Sequence, residues 1–407
     1  MKNNNCSVCN KKFLKILDLG LHPCADTFVT NQNVAATLKK YPLKVGFCSC
    51  NHLTAINIIS PKERYTKFNY SYTADNSPVS RSHFFNIAKI INKKFKLKSK
   101  TSIIEIGSND GTFLKYIKKL SNTNILGVDP SKFMCDIAKK RGIKTYNNFF
   151  NLKNSHKIKN KFGSFDILYA ANVFNHVDNP SLFLKGCNNV LKKKGTIILE
   201  VPDLDSLINT CGFDTIYHEH RQYYSSNSIK NILVKNGYKL LNVEKINYMS
   251  GSLRIFAKKN LKINKEIIPM PETIYQRKKN LNNFIKFQKK VFIIKKEIIK
   301  FINKYKKENK RIIGIAAATK GNTLLNFCGI NSKDLECVIE NSPYKINKFT
   351  PGSAIPIINE KFVKKYDAAI ILPWNITKHL YKKFLHKRRI PYTSVAKIVE
   401  KINKCPQ

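Results

Sequence analysis

Apolar side chains recur at two different spacings along this chain, and the switches between them mark its elements. Ile103-Ile104-Glu105-Ile106 is a short apolar run that ends in Gly107-Ser108-Asn109-Asp110-Gly111. The residues that follow, Thr112 to Leu120, carry apolar side chains at helical spacing, so the unit reads strand, tight loop, helix. A second strand, Asn124 to Asp129, ends in a carboxylate. Phe165–Ala171 and Thr196–Pro202 read as buried strands, and Leu191–Gly195 as the end of a helix. Tyr238–Ile246 and Ser252–Lys258 read as a closing antiparallel pair. The alternation over 101–259 predicts a parallel sheet finished by an antiparallel hairpin.

Further on, 273–308 predicts one long basic helix whose apolar stripe is Ile274, Leu281, Phe284, Val291, Ile294, Ile298, Phe301 and Tyr305. Pro269 and Pro271 before it mark a domain border. Arg311–Thr323 is another strand, turn and helix start, and Cys337–Asn341 another strand end, which predicts a second, smaller Rossmann-like domain. Lys320-Gly321-Asn322 at that helix start suits a phosphate without forming a complete P-loop. The expected division is 1–66, 67–264 and 265–407.

Three stretches carry candidate chemistry. Gly107-x-x-x-Gly111 departs from the dinucleotide fingerprint, and Glu105 and Asp110 place negative charge beside the loop. A pyrophosphate is repelled there, whereas a cofactor with an ammonium and a sulfonium is attracted, which favours S-adenosylmethionine over a nicotinamide dinucleotide. Asp129 is placed to accept from a ribose diol. The plain alternative is a doubly wound unit with a glycine turn. Cys6-x-x-Cys9 and Cys48-x-Cys50 suit a structural Zn²⁺ in a short segment with a thin core, with Cys24 and His52 as substitute ligands. Free thiols or a redox pair are the other readings. Phe213 to Ser225 gathers Asp214, Tyr217, His218, Glu219, His220, Tyr223 and Tyr224. That density suits proton transfer, with a metal site or a structural network as alternatives. Residues 64–83, including Tyr72, either join domains or line the site.

Composition changes this picture little. At 407 residues with 43% hydrophobic content, the chain is long enough for several cores. The net charge of +47 invites a nucleic-acid partner, but the lysines are spread along the whole chain and no nucleic-acid-reading motif is present. A basic surface also attracts anionic small molecules such as nucleotide diphosphates. No apolar run approaches a membrane span and the N-terminus lacks a signal-peptide core, so a cytoplasmic protein without a membrane partner is expected.

These motifs together resemble the three-domain sugar C-methyltransferases of nucleotide-linked deoxysugar biosynthesis, over nearly the whole chain. The resemblance runs through the cysteine pairs, Leu17-Asp18-Leu19-Gly20, Pro23 and Tyr41-Pro42-Leu43 in the N-terminal part. It continues through Glu105–Gly111, Asn172-x-x-x-His176-Val177, Glu200-Val201-Pro202, Ile216–His220 and Gly251-Ser252-Leu253-Arg254. Ala318–Leu325, Pro351-Gly352 and Leu372-Pro373-Trp374-Asn375 extend it to the C-terminus. It implies a class I methyltransferase domain flanked by a zinc-binding module and a C-terminal Rossmann-like α/β domain. The implied cofactor contacts are Glu105, Gly107, Asn109, Asp129, Pro130 and Asn172, with Gly111 in the same loop. The implied proton-transfer set is His176, Tyr217, Glu219 and His220, with Tyr72 nearby, and Lys320, Asn322 and Arg254 stand as substrate contacts. Zinc ligation falls to Cys6, Cys9, Cys48 and Cys50.

The expected reaction is C-methylation of a keto nucleotide sugar through an enolate. His220 is the base, Glu219 orients it, and activity rises with pH through the histidine range near 6.5. O-methylation of a nucleotide sugar is the alternative, and a non-catalytic nucleotide-sugar or RNA-binding scaffold the third reading. Monomer and dimer both remain open.

Overall fold

The run Ser102–Ile106 is buried at every position, and it becomes an interior strand of the largest sheet in the computed structural model, which describes residues 4–65, 73–260, 273–363 and 365–404. Both expected domain borders, Tyr72, Pro269 and Pro271 lie outside the described residues. The first sheet is antiparallel: β1 (Lys15–His22), β2 (Tyr41–Cys48) and β3 (His52–Ala55). The central sheet holds β4 (Ser102–Ile106), β5 (Asn124–Asp129), β6 (Thr145–Asn147), β7 (Phe165–Ala171) and β8 (Leu191–Pro202). The short strand β9 (Gln222–Tyr224) leaves this domain's sequence and pairs with β3, so the first sheet has the order β1-β2-β3-β9. Strands β10 (Tyr238–Ile246) and β11 (Ser252–Lys259) complete the central sheet as β10-β11-β8-β7-β4-β5-β6, with β11 antiparallel to both neighbours. This is the class I methyltransferase layout, and the chain crosses over between β4 and β7, where the loops after both strands open a crevice.

The helix expected to end at Gly195 stops at Val190, and β8 begins at Leu191. Lys192, Lys193 and Lys194 are exposed along an irregular edge of the β7–β8 ladder, where Lys192 reaches Asp166 at 2.8 Å. A third sheet, all parallel, contains β12 (Ile312–Ile315), β13 (Val338–Glu340), β14 (Ile357–Asn359), β15 (Ala368–Ile371) and β16 (Tyr392–Thr393). Its order β14-β13-β12-β15-β16 puts the topological switch between β12 and β15.

The long helix runs from Ile274 to Lys307 and starts at Thr273, whose hydroxyl accepts from Gln276 N. Its buried stripe is Phe284, Phe287, Val291, Ile294, Ile298 and Ile302, whereas Ile274 is exposed and Leu281, Phe301 and Tyr305 are partly buried. The face drifts from the expected line because the helix packs on two sheets in succession. Phe284 stacks on Phe47 of β2 at 4.7 Å, and the later positions join the core beneath Ile312 and Ile370. None of the helices among the described residues is long and apolar enough to cross a membrane.

The cysteine pairs converge. Two turns, each passing through an asparagine in the left-handed region (Asn10, φ 60°; Asn51, φ 51°), carry Cys6 and Cys9 toward Cys48 and Cys50. The four sulfurs lie within 4.8 Å of one another, with Cys6–Cys50 at 3.7 Å and Cys9–Cys48 at 3.2 Å. Thiolates about 2.3 Å from a tetrahedral Zn²⁺ stand about 3.8 Å apart, so this set fits the ion, and its closed ligand shell makes the zinc structural. Cys24 is outside the cluster, and His52 Nε2 instead meets Gln222 Oε1 at 2.9 Å. Metal analysis should therefore find about one zinc per chain. Cys9→Ser should lose the zinc and lower the thermal midpoint, and retained stoichiometry in that variant would overturn the ligand set.

Candidate active site

The loop after β4 owes its path to Gly107 (φ +70°), where a Cβ would stand 2.3 Å from Val173 Cγ2, and to Gly111 (φ +77°), which begins the helix Thr112–Leu120. Asn109 N donates to Asp129 Oδ2 at 2.9 Å, tying the loop to the end of β5. The loop borders a cavity of about 760 Å³ also lined by Glu105, Gly107, Asn109, Asp129, Pro130 and Asn172. Gly111 is not on its wall; it packs on Ala138 and Ile143. Ala74 N and Asp75 N donate to Asn109 Oδ1 and Asp110 Oδ2, both at 3.1 Å, and Arg141 bridges Asp75 and Asp110. The segment that follows Tyr72 is thereby fastened to the loop.

Glu105 is 3% exposed and its Oε2 has no hydrogen-bond partner. Burial first, then Asp110 and Asp129, pushes its carboxyl well above the ordinary range. Burial likewise pushes Asp129 up to about 6, against the pull of Ser131 N and Asn109 N. A concave site with an unsatisfied buried carboxylate suits a ligand bearing positive charge. S-adenosylmethionine, with its positive charges and its ribose diol, fits a site of this chemistry.

The proton-transfer candidates lie beside this cavity. The turn Phe213–Thr215 and the residues after it bring His220 against Tyr217, whose hydroxyl is 2.8 Å from Nε2. His220 Nδ1 donates to Thr215 O at 2.9 Å, which assigns the proton to Nδ1 and leaves Nε2 as acceptor. His176, on the turn after β7, meets the His220 ring edge-to-face at 4.8 Å and also lines the 760 Å³ cavity.

Family models cover most of the chain in three pieces. A zinc binding domain matches 6–65, a methyltransferase domain matches 82–243, and a C-methyltransferase C-terminal domain matches 248–390. A relative, the C-methyltransferase NovU of Streptomyces niveus, is 24% identical over 381 residues, spanning 91% of this chain and 90% of its own. In its succession of matched domains the chain is similar to that C-methyltransferase, and it is an S-adenosylmethionine-dependent methyltransferase. An uncharacterized protein of Methanocaldococcus jannaschii is 32% identical over 120 residues, 29% of this chain and 51% of its own. Among solved structures, magnesium protoporphyrin IX methyltransferase (ChlM) from Synechocystis PCC 6803 is 13% identical, covers 44% of this chain and 83% of its own, and has a TM-score of 0.36.

In this S-adenosylmethionine-dependent methyltransferase, the other expected site residues are placed as follows. Glu219 accepts from Ala25 N at 3.4 Å and Asp26 N at 3.2 Å, so its carboxylate faces the N-terminal module while Thr215 O orients His220. Arg254 on β11 sits opposite Glu200 on β8 and donates to it at 2.6 Å, and His83 takes the second Glu200 oxygen at 2.6 Å. Lys320 Nζ donates to Asn375 Oδ1 at 2.8 Å and lies 5.3 Å over the Trp374 ring, at the switch point of the third sheet. Trp374 Nε1 in turn donates to Asp214 Oδ1 at 2.8 Å. Asn322 is buried and donates to Ala25 O at 2.7 Å, which joins the two outer modules. Sequence reasoning missed the pairing of Arg64 and Arg221 with Asp178, because nothing in their spacing announces it.

Burial pushes His220 down to about 3, and His176 is held well below its ordinary value by burial and then by His220 and Arg64. Burial, then Asp26, pushes Glu219 up to about 7. The expected rise of activity through pH 6.5 is therefore corrected: His220 is already neutral throughout that range. In an imidazole NMR titration, His220 should show no protonation between about pH 5 and 8, far above its depressed value, and a midpoint near 6.5 would refute this environment. The Asp129 carboxylate forms as pH rises through about 6, so affinity for the cationic cofactor should fall as pH drops through that value. Calorimetry should show that fall, with Asp129→Ala weaker by about 1–3 kcal/mol and no longer losing affinity at this step.

Proposed function

We propose that the enzyme methylates a carbon next to the keto group of a nucleotide-linked sugar, by way of an enolate. The observation that carries this reading is His176, which lines the cofactor cavity and touches His220, so a neutral base pair adjoins the methyl donor. S-adenosylmethionine, when bound, supplies an electrophilic methyl group. The protein's residues supply the proton chemistry. Nε2 of His220 is the unprotonated nitrogen, and with Tyr217 it forms a unit that accepts the carbon-bound proton. His176 or the Tyr217 hydroxyl then donates to the oxygen on which negative charge develops. The electron-rich enolate carbon would then take the methyl group as its bond to the sulfonium sulfur breaks and S-adenosylhomocysteine leaves. Deprotonating a carbon beside a ketone needs an unprotonated acceptor, and the bond from Nδ1 to Thr215 O leaves Nε2 of His220 in that role.

Charge supports a nucleotide diphosphate as the handle. Lys320, Asn375 and Trp374 meet at the carboxyl ends of β12 and β15, the crevice where parallel sheets commonly take ligands. Lys320 also adds positive potential at His220, so the anionic end of a substrate held there lies on the base's side of the site. The C-terminal family model and the name of the Streptomyces niveus relative both specify carbon as the methyl acceptor.

Proton exchange tests the reading. In heavy water, a 4-keto nucleotide sugar incubated with the enzyme and S-adenosylhomocysteine should gain deuterium at the carbon next to the ketone. His220→Asn should slow that exchange by about a hundred- to ten-thousandfold while cofactor binding survives. Methylation of a hydroxyl with no exchange in wild type would replace this reading with O-methylation.

A further inference from the structure

One buried ionic cluster beside the site takes no part in the proton chemistry described above. Arg64 Nη2 donates to both carboxylate oxygens of Asp178 at 3.0 Å, and Arg221 Nε donates to Asp178 Oδ1 at 2.9 Å. The two guanidinium side chains are each 1% exposed, and the carboxylate they share is 29% exposed. Their other N–H groups reach backbone carbonyls. Arg64 donates to Ile59 O at 3.0 Å and His176 O at 3.2 Å; Arg221 donates to Asn57 O and, at 3.4 Å, to Ala55 O. Arg221 N donates to Asn175 O at 2.7 Å.

A single anion thus joins three separate segments: residues 55–64, the turn 174–178, and the chain at 220–221. Two of them carry the imidazoles. Arg221 directly follows His220, and Arg64 grips the carbonyl of His176 itself. Buried guanidiniums deprived of their carboxylate are strongly unfavourable, so the cluster resists separation far more than a surface pair does.

We propose that Asp178 is a positioning residue, which sets the edge-to-face placement of His176 and His220 by drawing Arg64 and Arg221 together. Its effect on activity rests on the reading of those imidazoles as proton-transfer groups. Its structural effect does not. The groups facing His176 are Asp178 on its own turn, Arg64 from the N-terminal module, and His220 with the Glu219 backbone from the facing turn. Loss of the Asp178 charge leaves the cations in place and moves the rings.

The test is Asp178→Asn in the full-length, zinc-loaded enzyme with ¹⁵N-labelled histidine. The imidazole resonances of both His176 and His220 should shift. Methyl-transfer kcat should fall by about a hundredfold, the cost of misplacing reacting groups by about an ångström, with a much smaller change in cofactor KM. Resonances at their wild-type positions overturn the proposal whatever the activity does. Shifted resonances with unchanged kcat overturn it equally. Should Asp178→Asn fail to fold, Arg64→Lys replaces it: the charge is kept but the fork that reaches Asp178, Ile59 O and His176 O together is lost, and the same shift at His176 is expected. Unmoved resonances there overturn the proposal. The resonance measurement uses no substrate, so O-methylation by the wild type would refute the carbon reading alone.

Discussion

The stretch 213–224 buries more polar groups than its own backbone can satisfy, and the three sheets are arranged so that other segments satisfy them. Asp214, His218, Glu219, His220, Arg221 and Gln222 are all buried. Their partners come from every part of the molecule: Trp374 from the C-terminal module, Ala25, Asp26 and His22 from the N-terminal one, and Asp178 from the central domain. A buried polar group left unpaired costs about 1–3 kcal/mol, so separating any module from this stretch is penalised several times over. The strand β9 at the end of it makes the same point with backbone bonds, since it pairs with β3 instead of with the central sheet.

That burial also sets the electrostatics of the site. Desolvation acts against charge of either sign, so it pushes the imidazoles down and the carboxyls Glu105, Asp129 and Glu219 up. The two consequences differ in use. An uncharged imidazole can accept a hydrogen bond or a proton, whereas a crowded group of carboxyls favours a cation. The chain has 26 acidic residues against 73 lysines and arginines, yet Glu105, Asp110 and Asp129 are gathered and buried around one loop. The surplus of lysine lies mostly on the exterior, where it attracts anions without specifying one.

Much of this was legible in the residue order. Period-two and period-3.6 patterns, the glycine-marked loop after an apolar strand, the acidic strand end and the paired cysteines are local signals. Each arises because backbone geometry and side-chain volume act between near neighbours, so the parallel sheet with its closing hairpin, the glycine loop after β4 and the cluster of four cysteines followed from the sequence. Tertiary structure alone decided the rest. It selected Cys50 over Cys24, turned Glu219 toward Ala25 and Asp26 instead of toward His220, and set Arg254 against Glu200. It ran the strand through Leu191–Gly195 and moved His220 from an ordinary histidine to one pushed down to about 3. Those outcomes depend on which groups lose water and what they meet when they do, and the partners stand tens to hundreds of residues apart in the chain.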